Sequence, residues 1–294
     1  MWRSIFLFLL ISGTLYGPTI KAQNLAVTQA FAEKAFLNGR FATALPALQR
    51  VAFFGSPSQK AINYFKIAQC YQATQNYALA QRHYRLCYAL AGDSLAREAL
   101  LGQVQLWLWQ GQYTAALKEI TAVEAAFSGT ERQRLFFYKA LAYFGKQDFS
   151  ACEEAFSQTF LADDSVSFAQ VQDLLRNDRR LHYPNSRLAQ GLSYLVPGLG
   201  QFYAGDFESG LNSLLLNGSL LGLTLNVAYT YTVLDALISV LPWLQRYYLG
   251  GVQNAKDTAH KELQNNQAEV YLEIITVFKV AQSKGQINIG LDPD

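Results

Sequence analysis

Charge, histidine and cysteine are all scarce in this chain of 294 residues. Charged residues make up 16% of it, whereas average soluble domains contain roughly a quarter. The net charge is +2, and lysine and arginine form no run of five or more, so the composition argues against nucleic acid as a partner. Hydrophobic residues make up 51%, which favours a protein that lies partly in a membrane.

The residue types on which enzymes most often depend form no recognisable group. His83, His182 and His260 lie far apart, and there is no HExxH motif, phosphate-binding loop or nucleophile elbow. Cys87 follows His83 by four residues, but no third metal ligand stands near this pair. We therefore expect a protein that is not an enzyme and that needs neither cofactor nor metal.

The three cysteines are Cys70, Cys87 and Cys152, an odd number without metal-binding spacing. A disulfide between Cys70 and Cys87 is one interpretation for an exported chain. The favoured interpretation is that all three are buried thiols used as small core residues.

The first residues have the pattern of a secretory signal peptide. Arg3 is followed by an apolar core over residues 5–11, and Ala22 ends a plausible cleavage site. The apolar core is shorter than the about 20 residues that cross a bilayer. We predict a signal peptide over residues 1–22, with an uncleaved anchor as the alternative.

Four segments of the first half repeat with a period of 36 residues. Each contains an aromatic residue, with a small residue nine positions before it, another three after it, and a large apolar residue seven after it. The aromatic residues are Phe41, Tyr77, Tyr113 and Phe149; the preceding small residues are Ala32, Ala68, Val104 and Ala140; the following small residues are Ala44, Ala80, Ala116 and Cys152; the large residues are Leu48, Tyr84, Ile120 and Phe156. Small residues let paired helices approach while large ones fill the next repeat, so the pattern predicts a helical solenoid.

This order of positions resembles that of tetratricopeptide repeats, although the family's usual period is about 34 residues. Only Gly39 and Gly111 keep the turn glycine, and Gln103 and Lys139 replace an aliphatic residue. The resemblance implies an all-α solenoid of about four repeats, which we place over residues 24–182. Its last part is predicted to be a capping helix with one apolar face, formed by Phe168, Val171, Leu174 and Leu175.

The first helices of such a solenoid line a concave groove. The positions that face it carry apolar side chains and glutamines, without lysine or arginine. We predict that the partner-binding groove consists of Phe36, Phe65, Gln69, Gln72, Leu101, Gln105, Leu108, Phe137, Leu141 and Phe144. A protein or peptide partner with an apolar segment suits this lining. The alternative is a groove filled by the protein's own helices.

An uncharged stretch of 24 residues covers positions 210–233, long enough to cross a hydrocarbon core of about 30 Å. After Asp235 the sequence stays apolar to about Gly251. We predict a transmembrane helical hairpin within residues 186–251, with its turn near residues 229–232. Packing of its helices is assigned to Asn217, Gly218 and Gly222, either within the hairpin or between copies in a homo-oligomer.

A turn motif precedes the uncharged stretch. It is carried by Pro197, Gly198, Gly200, Gln201, Tyr203 and Gly205. The glycines permit positive φ angles, and Asp206 is placed to cap the next helix. The pattern resembles that of the bacterial two-transmembrane domain family, and the resemblance implies a membrane hairpin and no reaction. We interpret the motif as a turn at the membrane interface, where backbone groups still reach water.

The last part, residues 252–294, is predicted to be an amphipathic tail. Val270, Ile274 and Val277 lie on one face, which would dock on the solenoid or on the membrane surface. These features lead us to expect a non-enzymatic scaffold or adaptor that contacts membrane lipid and binds a protein or peptide partner in the bacterial cell envelope, with a periplasmic solenoid. The alternative is a component of a membrane assembly or transport complex whose hairpin is the active part.

Overall fold

The computed structural model describes residues 24–160 and 165–285, together with Ile287 and Ile289. Within these residues the chain is all-α, as predicted, with fourteen α-helices, two short 3-10 turns and no strand. The predicted signal peptide lies outside the described residues. The chain divides into two compact units: unit 1 ends at Gln147 and unit 2 begins at Asp148. The division falls within the segment that the sequence assigns to the solenoid.

Unit 1 consists of seven helices in a helical repeat-like arrangement. They are α1 (Leu25–Leu37), α2 (Phe41–Phe54), α3 (Pro57–Ala73), α4 (Tyr77–Leu90), α5 (Asp93–Trp109), α6 (Tyr113–Val123) and α7 (Gly129–Gly145). Each helix packs against the next one, and α3 and α5, and likewise α5 and α7, also contact each other. The chain therefore alternates between first and second helices of successive pairs.

Local sequence explains where these helices begin. At the start of α3, the Ser56 side chain accepts a hydrogen bond from the Gln59 amide, and the Gln59 side chain accepts one from the Ser56 amide. This reciprocal pair satisfies two amides that would otherwise lack partners at a helix start. Pro57 occupies the first turn, where its fixed φ suits a helix and its missing N–H is not needed.

The turn inside each helix pair has the same left-handed backbone. Gly39, Gln75, Gly111 and Gln147 stand 36 residues apart, and their φ angles are 69°, 59°, 67° and 62°. In the first three turns the next amide donates to a carbonyl five residues earlier, for example from Asn76 to Tyr71 at 2.8 Å. This is the bond that closes a helix through a left-handed residue. The period of the sequence is thus also a period of the backbone.

The repeated side chains form the core that the pattern predicted. All twelve small and large positions named above are buried, with at most 2% exposure. Ile67 of the second repeat shares one apolar cluster with Ala32, Ala44 and Leu48 of the first. Tyr84 lies so close to α5 that a Cβ atom on Gly102 would stand 2.6 Å from its Cζ atom. A glycine on the first helix therefore accommodates a large ring from the preceding second helix.

Unit 2 contains the remaining seven helices of the described residues. They are α8 (Phe149–Ser157), α9 (Ser165–Asn177), α10 (Ser186–Leu195), α11 (Leu199–Tyr203), α12 (Phe207–Thr230), α13 (Val233–Ser239) and α14 (Leu241–Ser283). The longest, α14, contacts every helix from α9 to α13 and thus organises the unit. Helix α12 ends at Thr230, where the sequence predicts a turn, and packs against both α13 and α14.

Helix α14 continues through Gly251, where the sequence analysis starts a separate tail. It has 43 residues, which correspond to about 65 Å at 1.5 Å per residue. Its later part buries Val270, Ile274 and Phe278, while Val277 is half-buried. The predicted tail therefore forms a helix that docks within unit 2.

Polar contacts hold this later part of α14 against the 3-10 turn Arg179–Leu181. The Arg180 guanidinium donates to both carboxylate oxygens of Glu273, at 2.8 and 2.9 Å. The side chain of Gln267 donates to the Leu181 carbonyl at 2.9 Å. The predicted capping helix corresponds to α9, which also packs on α14 and buries Val171 and Leu175.

Candidate functional site

The ten predicted groove residues all lie on the first helices α1, α3, α5 and α7, but none of them is exposed. Leu101 and Phe137 are fully buried, and Phe144 is nearly so. Phe36, Phe65, Gln69, Gln72, Gln105, Leu108 and Leu141 are half-buried. A partner could reach only this half-buried set, because the other three side chains belong to the protein's own core.

The glutamines of the groove bond to other residues of the chain. The Tyr84 hydroxyl donates to Gln72 Oε1 at 2.6 Å, and Gln72 Nε2 donates to Gln105 Oε1 at 3.4 Å. Burial raises the pKa of Tyr84, so this hydroxyl keeps its proton and remains a donor. The chain of bonds runs from α4 through α3 to α5 and connects successive repeats.

Opposite charges also connect the first helices of successive repeats. Lys66 on α3 pairs with Glu33 on α1 at 3.0 Å, and Arg134 on α7 pairs with Glu98 on α5 at 2.6 Å. Hydrogen bonds from Gln29 and Lys66 hold the pKa of Glu33 below its usual range. The sequence analysis missed this ladder, although its partners stand 33 to 36 residues apart, close to the repeat period.

His83 and Cys87 lie in apolar surroundings. The ring of His83 stacks on Tyr71 at 5.4 Å, and burial together with the charge of Arg82 lowers its pKa. Cys70, Cys87 and Cys152 are all buried, in line with the favoured interpretation, and Cys70 and Cys87 do not form a disulfide with each other. Across the residues that the structure describes, no group of three or more His, Cys, Asp or Glu could hold a metal ion.

The turn motif of unit 2 joins α10, α11 and α12. Gly198 and Gly205 have φ angles of 92° and 88°, as expected, and the Asp206 side chain accepts from the Ser209 amide at 3.0 Å. Gly200 differs from the expectation because it is helical and its φ is not positive. It is needed for a close approach: a Cβ atom there would collide with the Ala189 carbonyl on α10.

Gln201 anchors this motif on α14. Its side chain is fully buried, its Nε2 donates to the Gly251 carbonyl at 2.8 Å, and its Oε1 accepts from Ser193 Oγ at 3.1 Å. Ser193 Oγ in turn accepts from the Gly200 amide at 3.0 Å. The network thus ties three helices together through buried polar groups, which are costly to leave unpaired. Ser193 and the Gly251 carbonyl are hydrogen-bonding partners in this network that the sequence analysis did not identify.

An apolar cavity of about 630 Å³ lies between α12 and α14. Its lining residues are Leu195, Pro197, Leu214, Asn217, Gly218, Leu221, Leu241, Leu244, Gln245, Tyr248 and Leu249. Asn217 is buried, donates from Nδ2 to the Ser213 carbonyl at 2.8 Å, and leaves Oδ1 without a partner. Nothing lies within 4 Å of a Cβ atom built on Gly218 or Gly222, so neither glycine is used for close packing within the described residues.

No protein-family model, curated protein or solved structure matches this chain.

Proposed function

We propose that this protein is a non-enzymatic adaptor whose tetratricopeptide-like repeats bind a protein or peptide partner. It is tethered by a transmembrane hairpin that crosses the bilayer in α12 and returns through α13 and the first part of α14. The observation that carries the tether is the exposure of α12. Its most apolar window has a mean hydropathy of 1.3, yet only 6% of that window is buried. A core helix of such composition would be mostly buried, because burial of one leucine is worth about 1.5–3 kcal/mol.

Aromatic side chains at both ends of α12 support a membrane setting. Phe207 at its start is 70% exposed and Tyr229 near its end is 93% exposed. They are 22 residues apart, or about 33 Å along a helix, and the hydrocarbon core is about 30 Å thick. Exposed aromatics at this separation suit the two interfaces of a bilayer. In this arrangement the turn motif, which precedes Phe207, stands at one interface.

The tether is tested by alkaline carbonate extraction of membranes that contain the full chain. We expect the wild-type protein to stay in the membrane pellet. The double variant Leu215→Arg, Leu223→Arg should be released or fail to insert, because each central arginine opposes insertion by about 2.5–3.5 kcal/mol. Leu272→Arg, at an exposed position of α14, is the matched control and should stay in the pellet. Release of the wild-type chain would remove the tether from the proposal.

The partner-binding role is supported by the repeat arrangement and by the half-buried apolar residues of the groove. Photo-cross-linking in cells tests it with a reactive group placed at Leu108 or Leu141. We expect cross-links to a discrete partner from both positions and none from Trp109, which is adjacent to Leu108 and exposed. Leu101 and Phe137 are unsuitable probes because they are buried. Equal cross-linking from Trp109 would contradict a groove-specific partner.

A second candidate function is a membrane assembly or transport component in which the hairpin is the active part. It is favoured by the unpartnered Oδ1 of Asn217 and by the open surface at Gly218 and Gly222, since small residues and amides promote helix association in lipid. Gly218→Leu with Gly222→Leu should then reduce the oligomer measured by light scattering in detergent. An unchanged mass would remove self-association through these glycines.

A further inference from the structure

The first helix α1 exposes side chains whose equivalents in later repeats are buried. Val27 is 67% exposed, whereas Asn63 and Ala99, at the same position of the next two repeats, are at most 1% exposed. Phe31 is 54% exposed, whereas its equivalents Ile67 and Gln103 are at most 5% exposed.

The later equivalents are covered by the second helix of the preceding pair. Ile67 on α3 packs with Ala44 and Leu48 of α2. Ala99 on α5 packs with Ala80 and Tyr84 of α4. In both cases the covering helix presents a small residue and, four positions later, a large apolar residue. Among the described residues no helix precedes α1, so the same face of α1 has no such cover.

An apolar groove of about 550 Å³ lies at this end of unit 1. Its lining residues are Asn24, Val27, Thr28, Phe31, Pro46, Ala47 and Arg50. Val27 and Phe31 form its apolar wall, and the Arg50 guanidinium also lies 6.0 Å from the ring of Phe54, which is exposed. Apolar surface of this kind at a solenoid end is unusual, since terminal repeats normally have a polar outer face.

We propose that this groove binds an α-helix of a partner protein that carries the surface of the second helices, with a small residue followed four positions later by a large apolar one. The basis is continuity with the interface that the chain already uses between its repeats. The bound helix would add the missing second helix in front of α1 and so extend the solenoid by half a repeat. This inference is independent of the membrane tether.

A second copy of the chain fits this groove less well. A two-fold dimer would pair this groove with the same groove of the second copy, and its lining has no residue as small as alanine followed four positions later by a large apolar one. The complementary surfaces of α2 and α4 are not available, because Ala44 and Ala80 are already buried by the chain itself. We therefore assign the groove to a helix from another protein and not to a second copy of the chain.

The test uses a fluorescent peptide with the sequence of residues 112–126 as a model partner, because it contains Ala116 and Ile120 at the required spacing. Fluorescence polarisation measures its binding to the full chain in detergent. We expect saturable binding that weakens about tenfold or more in Phe31→Glu and in Val27→Glu. Both positions are exposed, so retained helix content by circular dichroism confirms that these variants fold.

Two matched controls make the result specific. Tyr88→Glu changes an exposed aromatic residue on α4 and should leave the affinity unchanged, and a peptide with Ile120→Lys should not bind. Absence of binding at peptide concentrations on the order of 1 mM, or equal binding to Phe31→Glu, would overturn the proposal. If N-terminal sequencing shows that the mature protein retains residues 1–22, binding that appears only when the chain is shortened to begin at Asn24 would also overturn the proposal, because residues 1–23 would then compete for the groove.

Discussion

Replacement of Gln75 by glycine should stabilise the protein. Gln75 has a φ of 59°, and a side chain other than glycine in this left-handed region costs about 1–2 kcal/mol. Glycine removes that strain. It also gives the unfolded chain more conformational freedom, and this reduces the gain in stability by about 0.4–1 kcal/mol. The net expectation is about 0.5–1 kcal/mol of added stability. The turn keeps its bond from the Asn76 amide to the Tyr71 carbonyl, since a backbone bond does not depend on the side chain.

Gly111→Gln is the matched control because it reverses the exchange at the equivalent turn. Gly111 has a φ of 67°, and no atom lies within 4 Å of a Cβ built there, so the change is confined to backbone conformation. It should destabilise by about the same amount. Thermal unfolding of both variants, followed by circular dichroism, should show shifts of opposite sign and about 1–4 °C in size.

The two variants together test the reasoning about the repeat. If Gln75→Gly lowers the melting temperature, or if Gly111→Gln leaves it unchanged, the left-handed turns do not carry the conformational strain on which this prediction depends. A stabilised Gln75→Gly with a destabilised Gly111→Gln would support one turn geometry throughout unit 1.

Three further predictions concern buried groups. Gly200→Ala should destabilise unit 2 strongly, because the new methyl group would collide with the Ala189 carbonyl. Gly191→Ala is its control: no atom lies within 4 Å of the new methyl group, so the melting temperature should stay the same or rise. Gln201→Leu should lower the free energy of unfolding by about 1–3 kcal/mol, because the Gly251 carbonyl and the Ser193 hydroxyl lose a buried partner. Denaturant unfolding measures this change, and an unchanged midpoint would contradict the anchoring role of Gln201. Burial raises the pKa of Cys70 and of Cys87 to about 11 from 9.0, so their contribution to stability should be present below pH 9.0 and be lost as the pH rises towards 11. Thiol labelling at mildly alkaline pH should therefore be slow until the protein is unfolded, and rapid labelling of the native chain would contradict this.

Several errors and omissions of the sequence analysis have physical causes. The repeat period places Gln75 and Gln147 at turn positions, but glutamine does not signal a left-handed conformation, so only the structure shows their positive φ angles. The sequence analysis places Gly200 in a turn because glycine often permits positive φ, but in the structure this glycine lets α10 and α11 approach each other. The sequence analysis ends the hairpin at residue 251, where the apolar stretch ends, yet α14 continues through this position, and α10 and α11 pack on the same helix.

The repeats, their period and the apolar α12 follow from the sequence alone, because stacked helix pairs must bury the same small and large positions each time, and a long uncharged stretch is visible without a fold. The tertiary structure alone decided how far the predicted groove residues are buried, which helices pack on α14, and where the polar groups of the turn motif find partners. Those features depend on residues far apart in the chain, such as Gln201 and Gly251. Burial and hydrogen bonding are properties of neighbours in space, which the order of residues does not specify.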